Sequence, residues 1–152
     1  MKKLTATILI AIIASLMACS SHKNYSRDEI KNTLEQIVKD VYAPKSIKQF
    51  KESYNNAVNS GLITKDAADS FYVINGSELT EDDLKRSCYL DVLYSNKLEN
   101  SENKSHYLVK LQLHGAKGEI ITADIFFYVA DDCDEDNKTV IDKILVANIE
   151  VK

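Results

Sequence analysis

The chain contains three cysteines, and the sequence around each one limits the chemistry that its thiol can perform. Cys19 directly follows an apolar N-terminal run, whereas Cys88 and Cys133 lie in the more polar remainder of the chain. A cysteine sulfur can be alkylated, bind a metal ion or form a disulfide, depending on its surroundings. The three positions therefore need separate explanations.

The first 18 residues have the composition of a secretory leader. Lys2 and Lys3 form a short positive region, and Leu4 to Met17 is an apolar run of about 14 residues. Because a helix needs roughly 20 apolar residues to cross a bilayer, this run is too short for a membrane span. Its length suits a signal peptide, and Ala18 provides the small residue before a cleavage point. An ordinary signal peptide with a cysteine beside its cleavage site is the alternative.

The residues Leu16-Met17-Ala18-Cys19 resemble the lipobox of bacterial lipoproteins. The resemblance implies that Sγ of Cys19 receives a diacylglyceryl group, that the chain is cleaved before Cys19, and that acyl chains such as palmitate hold the protein at a membrane. Two or three acyl chains anchor a protein stably, whereas one binds marginally. Ser20 stands where many inner-membrane lipoproteins of Gram-negative bacteria have Asp. The expected location is therefore the cell envelope, and in a Gram-negative organism the outer membrane facing the periplasm.

The expected organisation is a signal peptide at 1–18, a lipidated tether at 19–25 and a single domain at 26–152. About 134 residues remain after cleavage, which is enough for one domain with its own core. Loss of Lys2 and Lys3 changes the formal charge from −4 to −6. A net negative domain is a poor partner for nucleic acid and for anionic lipid surfaces. The expected membrane contact is therefore the lipid on Cys19.

Helical patterns fill the first half of the expected domain. Ser26 starts a capping box for the first helix, and Pro44 is expected to open the second helix in its first turn. Thr64 is expected to cap a third helix that ends near Tyr72, and Thr80 starts one further helical turn. The residues expected to face the core are Ile30, Leu34, Ile37, Val38 and Val41 in the first helix, Ile47, Phe50, Tyr54, Ala57 and Val58 in the second, and Ala68, Phe71 and Tyr72 in the third.

From Cys88 onward the apolar residues repeat with a period of two, which is typical of strands. Four long strands joined by short loops favour an antiparallel meander. Opposing the apolar faces across the turn at 115–118 pairs Val109 with Ile125 and Lys110 with Asp124. The residues expected to face the core are Leu90, Val92 and Tyr94, then Tyr107, Val109, Leu111 and Leu113, then Ile121, Ala123, Ile125, Phe127 and Val129, and finally Ile141, Leu145, Ala147, Ile149 and Val151.

Helices followed by an antiparallel sheet predict an α+β fold, with two to four N-terminal helices packed on four strands. Element order, size and the lipobox together resemble small bacterial lipoproteins with a cystatin-like or nuclear-transport-factor-two-like fold. The resemblance implies a cone formed by the helices and a curved sheet. Because that fold family includes both enzymes and binding proteins, it implies nothing about function.

Cys88 and Cys133 form a candidate disulfide, because the cell envelope is an oxidising environment. The predicted meander argues against the bridge. It places the two residues at opposite ends of the sheet, about 25–30 Å apart, whereas a disulfide needs Cα atoms within about 7 Å. Both interpretations stay open.

The remaining polar features predict no catalytic, metal or cofactor site. The acidic segment 131–137 has carboxylates suited to calcium, but Lys143 stands where an EF-hand needs its closing Glu, so a solvated hairpin loop is favoured. His106 and His114 are expected to be exposed strand residues. The aromatic residues of the strands are expected either to pack or to line a ligand pocket or partner surface. These residues are Tyr89, Tyr94, Phe126 and Tyr128.

The predicted function is that of a non-catalytic envelope lipoprotein that binds a protein partner or a small ligand. A subunit of a secretion or conjugation apparatus, or a lipoprotein that neutralises a toxin, is the first alternative. An exposed apolar patch or an unpaired strand edge would favour it. The second alternative is a small enzyme with a pocket between helices and sheet. A buried His or carboxylate with a shifted pKa in a concave pocket would favour that enzyme.

Overall fold

The computed structural model describes residues 25–76, 79–95, 105–130 and 139–152. The predicted α+β fold is confirmed, with helices packed on an antiparallel sheet of order β1-β2-β3-β4. The described elements are α1 (Arg27–Tyr42), α2 (Ile47–Asn59), α3 (Lys65–Gly76), a 3-10 turn (Asp83–Lys85), β1 (Ser87–Ser95), β2 (His106–His114), β3 (Ile120–Val129) and β4 (Ile141–Val151).

Serine side chains start the first two helices. The capping box of α1 is confirmed, because Ser26 Oγ accepts from the Glu29 N–H at 3.3 Å and the Glu29 carboxylate accepts from the Ser26 N–H at 2.8 Å. The prediction that Pro44 opens α2 is wrong. Ser46 is the N-cap, and its Oγ accepts from the Gln49 N–H at 3.1 Å. A serine hydroxyl can satisfy an unpaired N–H of the first turn, which a proline side chain cannot do.

The third helix starts where expected and ends later. Thr64 Oγ1 accepts from the Ala67 N–H at 3.3 Å, and α3 then continues to Gly76 instead of ending near Tyr72. Nothing between Tyr72 and Gly76 removes a backbone donor, so the helical hydrogen bonds continue until the first residue that favours termination. Ile47, which was expected to face the core, lies at the first position of α2 and is 50% exposed.

All three helices lie on one side of the sheet, which is called the inner face. The hydrophobic core fills the space between the helices and the inner face, with aromatic rings in its centre. The Phe71 ring of α3 contacts Phe127 of β3 with centroids 5.9 Å apart and Tyr42 of α1 with centroids 6.1 Å apart. The chain segment before α3 also bonds to the first residue of β4, because Ile141 N–H donates to the Leu62 carbonyl at 2.7 Å. The helical layer and the last strand are thus directly linked.

The predicted register of the central hairpin is confirmed. Val109 lies opposite Ile125, and Lys110 lies opposite Asp124. The inner face takes Val109 and Ile125, which are both fully buried. Lys110 and Asp124 lie on the other side, which is called the outer face and faces away from the helices.

The predicted inner face of β4 is wrong between two irregularities in its pairing with β3. One lies near the start of β4, and the other lies around Asn148, whose φ is +51°. An extra residue moves every following side chain to the opposite face of a sheet. Ile144 and Val146 therefore face inward, whereas Leu145 pairs with Phe126 on the outer face. Of the predicted set, Leu145 and Ala147 lie on the outer face, and Ile141 is buried as predicted. Ile149 and Val151 lie beyond the second irregularity and are exposed, although Val151 pairs with Ile121 of the inner face.

Candidate functional site

Two of the three predicted site residues lie outside the described ranges. Cys19 and Cys133 fall there, so lipidation and the disulfide stay predictions, and the acidic segment 131–138 falls there as well. Cys88 pairs with Leu113 at the sheet end that carries the β2–β3 turn. Val129 and Ile141, which flank the segment with Cys133, pair at the opposite end. The strand order on which the argument against the disulfide depended is therefore confirmed.

The environment of Cys88 does not activate its thiol. Burial raises the pKa of Cys88, the nearby Lys39 ammonium opposes this effect, and the Glu35 carboxylate adds to it. Lys39 and Glu35 form an ion pair at 2.5 Å on α1. Because the thiolate is the reactive form of cysteine, a raised pKa disfavours nucleophilic chemistry at this position.

The prediction that His106 is an exposed strand residue is wrong. Its side chain lies on the outer face but is nearly fully buried, with its ring centroid 5.7 Å from that of Phe126 and 5.9 Å from that of Tyr128. The strand alternation places the His106 imidazole on the side of the sheet away from the helices. The two neighbouring rings cover it there. His114 is half-buried beside the Tyr89 ring. Within the described ranges, no group of three His, Cys, Asp or Glu residues could hold a metal ion.

A cavity of about 400 Å³ lies between the helices and the inner face of the sheet, and it is called the inner cavity. Concave, mainly apolar cavities with a few polar groups are the usual binding sites for small molecules. Most of its walls are aliphatic or aromatic. The bordering residues are Tyr42, Ser70, Phe71, Arg86, Leu111, Leu113, Ile121, Ala123, Ile144, Leu145, Val146 and Ile149.

The position of the inner cavity follows from one small side chain and one irregular pairing. Ala123 stands opposite Leu111 on the inner face, where its methyl group fills less space than the aliphatic residues around it. On its other side, β4 is shifted around Asn148, so Ala123 has no regular partner there. A small residue beside an irregularity leaves volume that the neighbouring side chains do not fill.

Arg86 borders the inner cavity from the segment between the 3-10 turn and β1. One guanidinium nitrogen, Nη1, lies 2.5 Å from Oδ1 of Asp83. The other oxygen of Asp83 accepts from the Thr80 N–H at 2.6 Å and from Thr80 Oγ1 at 2.7 Å. Arg86 is thus held by a carboxylate that is itself held by two further hydrogen bonds.

Asp83 is nearly buried, and these contacts determine the direction in which the pKa of its carboxyl group is shifted. Burial acts to raise the pKa of Asp83, but the hydrogen bonds from Thr80 and the positive charge of Arg86 outweigh it, and the pKa lies below its ordinary value. Asp83 is therefore ionised at neutral pH. Because this carboxylate does not border the inner cavity, a ligand there would meet the guanidinium and not its counter-ion.

A second depression, of about 460 Å³, lies on the outer face and is called the outer groove. Its walls are more polar than those of the inner cavity. Asp91, Lys110 and Asp124 stand side by side on three neighbouring strands, and Asn148 Nδ2 donates to Asp124 at 2.7 Å. Direct cross-strand neighbours of opposite charge stabilise one another. The polar groups of the outer groove thus have partners within the sheet itself.

An apolar row crosses the outer face next to the outer groove. Leu93, Leu108, Phe126 and Leu145 are paired in sequence across all four strands. Leu93 and Leu145 at its ends are each 43% exposed. This outer row is the clearest candidate on the described surface for contact with another protein.

The residues that border the inner cavity were not recognised from the sequence as a site. Arg86 follows the helical turn predicted from Thr80, and a single basic residue there gives no sequence signal for a site. Ala123 was assigned to the inner face, and its small size among large inner residues was the available signal for a void. Tyr42 was treated only as the end of α1.

Comparison of the chain with models of protein families, with curated proteins and with solved structures yields no match. Among the described helices, none combines the length and the apolar character that a membrane crossing requires.

Proposed function

We propose that this chain is a lipid-anchored envelope protein that binds a small, mainly apolar ligand in the inner cavity and does not transform it. The inner cavity is the observation that supports this proposal most strongly. Its volume of about 400 Å³ lies at the lower end of the range of about 300–1,000 Å³ that is usual for ligand sites. The lipobox resemblance of Leu16-Met17-Ala18-Cys19 supports the anchor.

The polar groups at the inner cavity support binding rather than catalysis. Its described border contains two hydroxyl groups and one guanidinium, from Tyr42, Ser70 and Arg86, and no His, Cys, Asp, Glu or Lys. A serine or tyrosine hydroxyl needs an adjacent general base to act as a nucleophile, and the described border contains none of the residue types that usually serve as that base. The polar groups present can donate hydrogen bonds that orient a ligand.

Ligand binding is tested with a neutral apolar dye such as Nile red and the mature chain, expressed from residue 19 with Cys19→Ala so that no lipid is attached. Saturable fluorescence is expected with this protein. Ala123→Leu should abolish it, because the larger side chain occupies the cavity. Ala147→Leu makes the same change where β4 pairs with Asp124 on the outer face and should leave the signal unchanged. Equal signals from all three proteins would contradict binding in the inner cavity.

The anchor is tested by labelling cells with a fatty acid that carries an alkyne. The wild-type protein should incorporate the label, and Cys19→Ala should not. Cys88→Ala is the matched control and should be labelled like the wild type. Label in Cys19→Ala would contradict the anchor without affecting the proposal for the cavity.

A second candidate function is binding of a protein partner, and the outer row favours it. Apolar side chains that cross a whole sheet face are costly to leave in water, and Leu93 and Leu145 are partly exposed. A photo-crosslinking residue at position 93 should then capture a defined protein in cells. The same residue at position 48, on the exposed surface of α2, is the control. Equal products from both positions would contradict this second candidate.

A further inference from the structure

We propose that the ligand of the inner cavity is a single-chain amphiphile with a terminal carboxylate, and that Arg86 binds the carboxylate. This inference deepens the proposed function and rests on it. Among the described residues that border the inner cavity, Arg86 is the one that carries a formal charge. The two ends of the ligand would therefore meet different surroundings, aliphatic walls on one side and a guanidinium on the other.

The state of Arg86 suits binding of an anion. Its side chain is 30% exposed, so water surrounds the guanidinium only in part. A charge-assisted hydrogen bond is stronger in such a place than in open solvent. The recorded contact with Asp83 uses Nη1, whereas a guanidinium has five N–H donors in a rigid plane. The other N–H groups of Arg86 can therefore bind a second carboxylate. The ion pair with Asp83 fixes the direction in which they point.

The ion pair with Asp83 positions Arg86 and does not shield the inner cavity. Asp83 is fixed from its other oxygen by Thr80 and does not border the cavity. A ligand carboxylate could thus approach the guanidinium from the cavity side without meeting the carboxylate of Asp83. A cationic ligand would be repelled, and a neutral one would gain only the apolar contacts.

The size and the walls of the inner cavity limit the apolar part of the ligand. About 400 Å³ is enclosed mainly by aliphatic side chains such as Leu111, Leu113 and Ile121. Cavities of this size bind ligands of small-molecule size. A two-chain lipid would require more volume than the described walls enclose.

The test compares three ligands with the same ten-carbon chain, namely decanoate, decanol and decyltrimethylammonium, by titration calorimetry below their micelle concentrations. The protein is the lipid-free mature chain with Cys19→Ala. Decanoate is expected to bind about tenfold more tightly than the other two, since one charge-assisted pair contributes about that much. Arg86→Gln should remove this preference, and Arg86→Lys should retain most of it. Ala123→Leu should abolish binding of all three ligands.

A second pair of variants changes the charge at the inner cavity and leaves the ion pair between Arg86 and Asp83 in place. Ile149 borders the inner cavity and is 63% exposed, so charged residues are tolerated there without disturbing the core. Ile149→Glu should weaken binding of decanoate about threefold or more, and Ile149→Lys should strengthen it. Both substitutions remove the same apolar side chain, so the two variants should bind decanol with equal affinity.

The outcomes separate the ligand class from the proposed function. If no ligand binds, both the inner-cavity function and this inference are overturned. If decanol and decanoate bind equally, and neither Arg86→Gln nor the Ile149 variants separate them, the cavity function stands and the carboxylate is wrong. A preference for decyltrimethylammonium would also overturn the inference.

Discussion

Phe126 and Phe127 are adjacent residues of the same type, and the sheet places them in opposite surroundings. Phe127 points to the inner face, is fully buried and contacts the Phe71 ring at 5.9 Å. Phe126 points to the outer face, where it is half-buried among its neighbours in the outer row. The difference shows that the sheet has an inner face covered by the helices and a partly apolar outer face on which none of the described helices packs.

The largest expected difference between the two faces is in stability. Phe127→Ala should lower the free energy of unfolding by about 3–5 kcal/mol, because it leaves a void among fully buried rings. Phe126→Ala should lower it by about 1–2 kcal/mol, since water can reach the vacated position. Urea denaturation of both variants measures the difference. Equal losses would mean that the outer face is buried as deeply as the inner one.

The next comparison concerns β4, where the irregular pairing decides which residues face inward. Val146→Asp should cost about 2–3 kcal/mol, because it places a charge between sheet and helices. Leu145→Asp, one residue earlier, should cost less than about 1 kcal/mol, because Leu145 is exposed. Thermal denaturation of the two variants measures this difference in stability. The opposite order of stability would restore the register predicted without irregularities.

Asp83 stabilises the segment that carries Arg86 through its contacts with Thr80 and with Arg86 itself. Asp83→Asn should cost about 2 kcal/mol at pH 7, the usual contribution of hydrogen bonds to a buried charge. Because the folded-state pKa of Asp83 lies below its ordinary value of 3.8, this contribution is complete above about pH 5. It decreases as the pH falls through the folded-state pKa. Wild type and Asp83→Asn should therefore converge in stability only as the pH falls below 3.8 and through the lowered folded-state pKa.

The control for this prediction is Asp82→Asn. The Asp82 side chain is 51% exposed, and its ion pairs with Lys85 and Lys117 are at 3.5 Å. Exposed pairs of this kind contribute less than about 1 kcal/mol. If Asp82→Asn and Asp83→Asn lose the same stability, the assignment of Asp83 as the carboxylate that supports Arg86 is wrong.

The smallest expected effect tests the backbone at the second irregularity of β4. Asn148 has a φ of +51°, a conformation that costs an alanine about 1 kcal/mol and a glycine almost nothing. Asn148→Ala and Asn148→Gly both lose the hydrogen bond to Asp124. Asn148→Ala should therefore be the less stable variant by about 1 kcal/mol. Indistinguishable unfolding curves would argue against a left-handed residue at this position.

The sequence was sufficient to predict features that depend on regular periods. The capping box at Ser26, the strand order and the pairing of Val109 with Ile125 all follow from local patterns and from keeping apolar faces together. The face of β4 could not be predicted in the same way. Its alternation is interrupted twice, and a residue such as Asn148 gives no sequence signal strong enough to locate the shift.

The inner cavity was beyond sequence reasoning for a different reason. A void depends on what neighbouring elements fail to fill, and the elements around Ala123 come from both halves of the chain. Arg86 and Phe71 approach the same space from segments that have no periodic relation. The burial of His106 was missed in the same way, because its cover comes from Phe126 and Tyr128 of another strand.

The direction of α1 has a consequence for the orientation of the domain at a membrane. The start of α1 lies at one end of the sheet, where the Arg27 guanidinium is 4.3 Å from the centre of the Tyr94 ring. The end of α1 at Tyr42 borders the inner cavity. A helix of 16 residues is about 24 Å long.

If Cys19 carries the proposed anchor, the chain enters the domain at the Arg27 end. The inner cavity then lies about one helix length from the point at which the chain enters the domain. The anchor and the inner cavity would then lie at opposite ends of α1.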